Sequence, residues 1–361
     1  MSRADEPVSM AEALREAMDL AMERDPSVIL IGEGVADPAA IFGTTTGLPQ
    51  AYGADRVIES PVSENGMTGV AIGAAIQGAR PVMTHQRVDF LLLALEQLAN
   101  NAAKMHFTFG GAIEVPIVVR GIIGRGWGQS AQHAQSLESV FAHFPGLTVL
   151  MPSTPYDAKG MLLAAVADPN PVIFLEHRWL HRTTGIVPEG YYESPLDSAQ
   201  VARVGSDATV VATSLMVVES IRAARALDAI GVSLEVIDLR VVRPLDVDSV
   251  VTSVEKTGHL LVADTGWTQF GVGAEVIASV TERALAALRA APSRLGLAPT
   301  PAPASRALIG DYYPDAGRVV LSIGRMLGTS GAEIEEALRA LGPRNSGLPL
   351  DVPDPEFKGP F

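Results

Sequence analysis

The sequence predicts an α/β fold in which a parallel sheet carries helices on both faces, and three observations predict it. Short apolar runs alternate with helix-length segments through the first half of the chain, the pattern of repeated βαβ units. The runs, such as Ser27 to Gly32 (SVILIG) and Val115 to Gly121 (VPIVVRG), are apolar almost throughout, as strands covered on both faces must be. The composition, with 34 glycines and only 5% aromatic residues, suits closely packed layers. At 361 residues the chain exceeds the ~250–300 residues at which single cores stop growing, so two domains are expected.

In chain order, Ser9 and Glu12 form a capping box that opens an amphipathic helix to about Arg24. Asp25-Pro26 stops it, and the strand Ser27 to Gly32 leads to Glu33. Residues 35–55 read as loop, with FGTTTGLPQAYG as a turn cluster. A short extended run, Arg56 to Ile58, precedes a small-residue helix that Ser63 is placed to cap. Next come the strand Pro81 to His85, the helix Asp89 to Lys104, the strand Val115 to Gly121 and a glycine-rich loop, Ile122 to Gln135. The helix Leu137 to Phe144, strand Leu147 to Met151, helix Tyr156 to Ala167 and strand Pro171 to Glu176 complete the first series.

Residues 177–205 lose periodicity and read as a surface crossing. The first domain is placed at residues 1–180, the linker at 181–205, the second domain at 206–341 and an irregular tail at 342–361. The second domain repeats the alternation: strand Thr209 to Thr213, helix Met216 to Ala229, strand Ser233 to Asp238, helix Val247 to Thr257 and strand His259 to Asp264. A helix from Gly273 to Ala291, a proline-rich connector at 292–306 and a helix from Gly331 to Leu341, capped by Ser330 with Glu333, follow.

Composition excludes several classes. With no cysteine there is no disulfide, thiolate metal site or catalytic thiol, which fits a reducing cytoplasm. A net charge of −14 argues against a nucleic-acid surface, which needs a basic footprint. No signal peptide and no membrane span are read, since MSRADEPVSM has no apolar core and Glu96 interrupts the longest apolar helix.

The informative stretch is Arg56 to Val82. Its helix carries Gly66, Gly69 and Gly73, each costing ~1 kcal/mol against alanine, so something should approach the backbone closely there. One carboxylate, Glu64, sits at the mouth of this helix. The residue alone leaves two readings open: a first-turn acid favoured by the helix dipole, or a shielded acid of raised pKa that shares a proton with a ligand nitrogen.

The second stretch is the loop with Gly121, Gly124, Gly126 and Gly128, followed by His133 with Gln132, Gln135 and Ser136 beside it. Glycine there permits close backbone approach, and loops after parallel strands commonly carry function. His143 reads as packing or a backbone hydrogen bond, and the remaining histidines lack metal-ligand spacing. There is no P-loop, no GxSxG and no dinucleotide fingerprint. Also missing is the Gly-Asp-Gly with a downstream Asn-Asn that grips magnesium and a diphosphate; the only nearby candidate, Gly310-Asp311-Tyr312, lacks the second glycine. Half a site implies a partner with the other half.

Seven ordered segments carry a resemblance: LIGEG, SENGMTGVAIG, QHAQSLESVFAHFPGL, MPSTPYDAKG, DPNPVIFLEH, VIDLRVVRPLD and GVGAEV. The chain resembles the β subunit of the thiamine-diphosphate-dependent decarboxylating component of 2-oxo acid dehydrogenases (pyruvate and branched-chain type). The likeness implies a transketolase-like pyrimidine-binding domain, then the transketolase C-terminal domain, assembled as α2β2. It implies that Glu64 bonds the aminopyrimidine ring of thiamine diphosphate and favours its imino tautomer, which then deprotonates the thiazolium carbon. His133 would face the substrate and assist transfer to a lipoyl acyltransferase. Glu33 matches an acid in proton linkage between paired sites, and Gln86 and Arg87 would border the coenzyme. Asp168 and Asn170 match a monovalent-cation loop, for potassium, while magnesium ligands would come from the α subunit.

Three departures bear on the substrate. Arg87 follows Gln86 where relatives carry an aromatic residue, Asp264-Thr265 replaces a His-Glu pair, and the tail is proline-rich. They leave open a two-subunit carboligase, lyase or transketolase-like enzyme independent of lipoyl domains.

Overall fold

A computed structural model describes residues 6–37, 41–124, 130–310 and 312–342. The tail, Gly126 and Gly128 of the glycine-rich loop, and Asp311 lie outside them. The described residues form two compact units, one from residues up to 124 and from 140 to 196, the other from 130–139 and 197–342.

The first unit begins with β1 (Val8–Ser9) and α1 (Met10–Arg24), whose Ser9–Glu12 capping box is present in full. Next are β2 (Val28–Gly32), α2 (Leu48–Tyr52), β3 (Val57–Glu59), α3 (Glu64–Ile76) and β4 (Arg80–His85). Helix α2 lies where loop is expected; Pro49 in its first turn suits a helix start, and Gly53 ends it. Ser63 precedes α3, but its hydroxyl makes no capping bond. The expected helix 89–104 is instead α4 (Val88–Leu91), a 3-10 turn (Leu92–Ala94), a π segment (Gln97–Ala102) and α5 (Ala103–Thr108). At Gly69 a Cβ would lie 3.2 Å from Oε1 of Gln97 in that π segment, so α3 packs closely there; at Gly73 nothing lies within 4 Å.

The unit continues with β5 (Val118–Ile123), α6 (Glu138–Ala142, whose first two residues belong to the second unit), β6 (Thr148–Leu150), α7 (Pro155–Ala167), β7 (Val172–His177) and β8 (Thr184–Gly185). Six of these strands pair in parallel in the order β6-β7-β5-β4-β2-β3. Their C-terminal ends therefore share one edge. The chain passes from β2 to β3 on one side, then back past β2 to β4 on the other, which puts a topological switch point between β2 and β4. Arg178, Trp179 and Leu180, expected to cross the surface, are buried, and β8 pairs with β1.

The second unit holds β9 (Gln200–Arg203), β10 (Ala208–Ala212), α8 (Leu215–Asp228), β11 (Leu234–Asp238), β12 (Val241–Arg243), α9 (Val247–Thr257), β13 (Leu260–Trp267), α10 (Val272–Ala284), β14 (Ser293–Leu297), α11 (Ala316–Leu327) and α12 (Gly331–Leu341). Its sheet runs β14-β13-β10-β11-β9, with only β9 antiparallel. The proline-rich connector thus contributes an edge strand, β14. Helix α10 ends at Ala284, short of the expected Ala291, and a 3-10 turn follows. Helices α8, α11 and α12 pack an apolar cluster with β10, β11 and β13, including Val210, Leu227, Val236, Leu261 and Val320. Among the described residues no helix is long and apolar enough to cross a membrane.

Candidate active site

The C-terminal edge of the first unit's sheet gathers most of the predicted site residues. Glu33 follows β2, Glu59 ends β3, Glu64 opens α3, and Gln86 and Arg87 follow β4. In open parallel sheets, ligands bind outside the strand ends at the switch point, here between Glu33 and Gln86. The two are joined directly, since Nε2 of Gln86 donates to the carbonyl of Glu33 at 3.3 Å. Glu59 accepts from the amides of Gly34 (2.6 Å) and Ala36 (2.9 Å), which fixes the turn after β2.

Glu64 is 7% exposed, so the carboxylate at the head of α3 is shielded. Burial raises the pKa of Glu33, and the nearby carboxylates of Glu64 and Glu59 raise it further. Three acids therefore converge where the strand order reverses. One turn beyond Glu64, Oγ1 of Thr68 lies 3.3 Å from Nε2 of His85, at the end of β4. Burial holds His85 down to about 4, so its ring is neutral at neutral pH and hydrogen-bonds rather than carries charge.

Arg87 and Arg178 are both buried at this edge. Arg178 is lowered to about 9, first by burial and then by the Arg87 guanidinium, and its Cζ stands 4.9 Å from the ring centre of Phe42. Beneath them Arg120 grips Glu176 through two bonds (2.6 and 3.0 Å), and Nε2 of His181 lies 3.0 Å from Oε2 of the same acid. Burial alone would raise Glu176, but the Arg120 guanidinium and the His181 hydrogen bond bring it down to about 2. Gly124 at the end of β5 has φ +85, and a Cβ there would meet Nε2 of His177 at 2.1 Å.

Asp168 and Asn170 lie at the opposite edge, in the turn before β7. Oδ1 of Asp168 accepts from the Asn170 amide at 2.7 Å, while Nη1 of Arg80 donates to the carbonyls of Val166 (2.7 Å) and Asp168 (3.3 Å). The turn is closed on itself and faces a guanidinium.

His133 belongs to the second unit, half-buried at the end of a 3-10 turn, Ala131–His133. Ala134 beside it is buried with Leu297, Ala302 and Tyr312. A groove of about 540 Å³, lined by Gln132, Gln135, Trp267, Phe270 and Thr300 among others, opens next to this turn. His143 is exposed, its ring edge-on to that of the adjacent Phe144 at 5.6 Å.

Residues 6–183 match the transketolase pyrimidine-binding domain and residues 197–319 the transketolase C-terminal domain. The chain is 40% identical over 322 residues to the β subunit of acetoin:2,6-dichlorophenolindophenol oxidoreductase of Cupriavidus necator, covering 86% of this chain and 95% of that one. It is 39% identical over 301 residues to the β subunit of the pyruvate dehydrogenase E1 component of Staphylococcus aureus, covering 83% and 93%. The chain belongs to this family of dehydrogenase β subunits. A split-gene transketolase, solved as an inactive β4 tetramer, shares the fold, with a TM-score of 0.73 at 19% identity over 89% of this chain and 99% of that one.

The family depends on thiamine diphosphate, and the residues fit one half of that coenzyme. A shielded acid at a switch point suits a nitrogen heterocycle. Sequence reading missed Glu59, Thr68, His85 and Arg178. Position at a parallel strand's end was the available signal for Glu59 and His85, as it was for Glu33.

Proposed function

We propose that this chain is the β subunit of a heteromeric thiamine-diphosphate-dependent 2-oxo acid dehydrogenase, which decarboxylates its substrate and passes the acyl group to the lipoyl group of an acyltransferase. An α subunit, in an α2β2 assembly, would supply the magnesium and diphosphate ligands. The observation that carries the reading is the buried Glu64 at the switch point of a family member lacking the diphosphate motif. When bound, the coenzyme supplies an acidic carbon that adds to a carbonyl once deprotonated. Glu64 would bond the aminopyrimidine nitrogen and hold a proton there. Burial and the carboxylates of Glu64 and Glu59 raise the pKa of Glu33, which favours a proton on that neighbouring acid. His133 would move a proton at the substrate oxygen and orient the acyl group for transfer. The Asp168–Asn170 turn lies at the other edge of the sheet, where Arg80 donates to the Asp168 carbonyl, and takes no part in the reaction.

The test is reconstitution with an α subunit carrying Gly-Asp-Gly and Asn-Asn. Glu64→Gln is expected to lower turnover at least ~100-fold, the loss typical of a positioned acid–base group; unchanged turnover would refute the assignment. A second reading, carbon–carbon bond cleavage or formation without a lipoyl partner, draws on the acetoin relative and on buried Arg87. Acyl-lipoyl product from a 2-oxo acid decides for the first reading, and turnover of acyloin or aldehyde acceptors alone decides for the second.

A further inference from the structure

Two buried acids in the second unit have no role in the reading above. Glu138, the first residue of α6, is 1% exposed, and Asp264 in β13 is 3% exposed. Both oxygens of Glu138 and Oδ2 of Asp264 are buried and, among the described residues, meet no donor beyond the backbone amide of Glu138 itself. The other oxygen of Asp264 accepts from Oγ1 of Thr213 at 2.7 Å, and the amides of Gly266 and Thr265 donate to the same carboxylate. Both acids crowd Gly266: a Cβ there would lie 2.3 Å from Oε1 of Glu138 and 3.6 Å from Oδ2 of Asp264. Asp264 is the charged group acting on Glu138, and among the described residues no cation acts on either acid.

Two ionised carboxylates in such a place would leave three buried oxygens without a donor from any other described residue and would repel each other, a cost buried charges do not sustain unpaired. A single proton eases both problems, because a neutral Glu138 becomes the donor that Oδ2 of Asp264 lacks. Burial and Asp264 push Glu138 well above the ordinary carboxylate range, in agreement with that geometry. The pair also has a position that matters. The segment from Ala131 to Glu138 carries His133; Ser130 opens it in a left-handed conformation (φ 69), Ala134 anchors its middle and Glu138 ends it.

We infer that Glu138 and Asp264 share one proton, and that this neutral-acid bridge ties down the His133 turn, making Glu138 a positioning residue for the reaction. The role in the reaction rests on the function proposed above; the bridge itself does not. Infrared difference spectra of the full chain should therefore contain the carbonyl band of a buried protonated acid at neutral pH, lost in Glu138→Gln. The ring resonances of His133, assigned by His133→Asn, should shift in Glu138→Ala and return in Glu138→Gln, whose amide supplies the donor permanently. In the reconstituted enzyme, Glu138→Ala should lower kcat on the order of 10²-fold, the scale of a ~1 Å misplacement, with Glu138→Gln rescuing it. Should Glu138→Ala not fold, Gly266→Ala displaces the same carboxylate without altering its chemistry. Absence of the infrared band overturns the shared proton. A band with unmoved His133 resonances in Glu138→Ala or Gly266→Ala overturns the positioning role. Both readouts use this chain alone, so failure of the dehydrogenase assay would count against the proposed function and not against the bridge.

Discussion

His85 illustrates how burial sets chemistry at single residues. Its ring is buried beside Thr68, and burial moves its pKa from 6.5 to about 4. The folded state thus refuses a proton that the unfolded chain accepts, so unfolding gains protons as pH falls. The shift corresponds to roughly 3 kcal/mol of stability, complete above pH ~6.5 and lost as pH drops towards about 4. Urea unfolding across that range should give a slope that His85→Asn flattens; an unchanged slope would show that the group does not titrate this way. Glu138 has the opposite sign. Its folded pKa is raised, so its stability is fully present below the unfolded value near 4.5 and declines as pH climbs to the folded value. Glu138→Gln should accordingly gain on the native chain as pH rises, read as a widening difference in Tm; a constant difference would contradict it.

At the scale of elements, the predictions concern close approach and buried charge. Gly124→Ala adds a Cβ at φ +85 and drives it into His177, so the loss should exceed the ~1 kcal/mol of an ordinary Gly→Ala mismatch, read as a lower urea midpoint. Arg120→Met leaves Glu176 buried without its guanidinium partner, a change expected to cost ~3–5 kcal/mol by the same measurement. The parallel strands were legible because burial on both faces writes them as continuous apolar runs. Capping boxes at Ser9 and Ser330 were legible because both partners lie within four residues. Helix α11 was not, because Gly317 and Gly324 depress its helical signal. Gly324 is there for packing, since a Cβ would sit 2.8 Å from Ile334 of α12. Strand β14 hid behind prolines, and the π segment after α4 follows from packing against α3, which no local pattern announces.

For the whole molecule, the site was legible in part. Glu64 and Glu33, which the proposed function uses, could be read as candidates from their places after strand-like runs, and the lack of a diphosphate motif directly from the sequence. The Glu138–Asp264 pair could not, because 126 positions separate its members and only tertiary structure brings them together. The account's central claim is a division of labour between two polypeptides, and calorimetric titration of thiamine diphosphate with magnesium tests it most directly. Injected into this chain alone, the coenzyme should release no binding heat; with the α subunit present it should bind, and Glu64→Gln should weaken that binding. Tight, magnesium-dependent binding to this chain by itself would contradict the account.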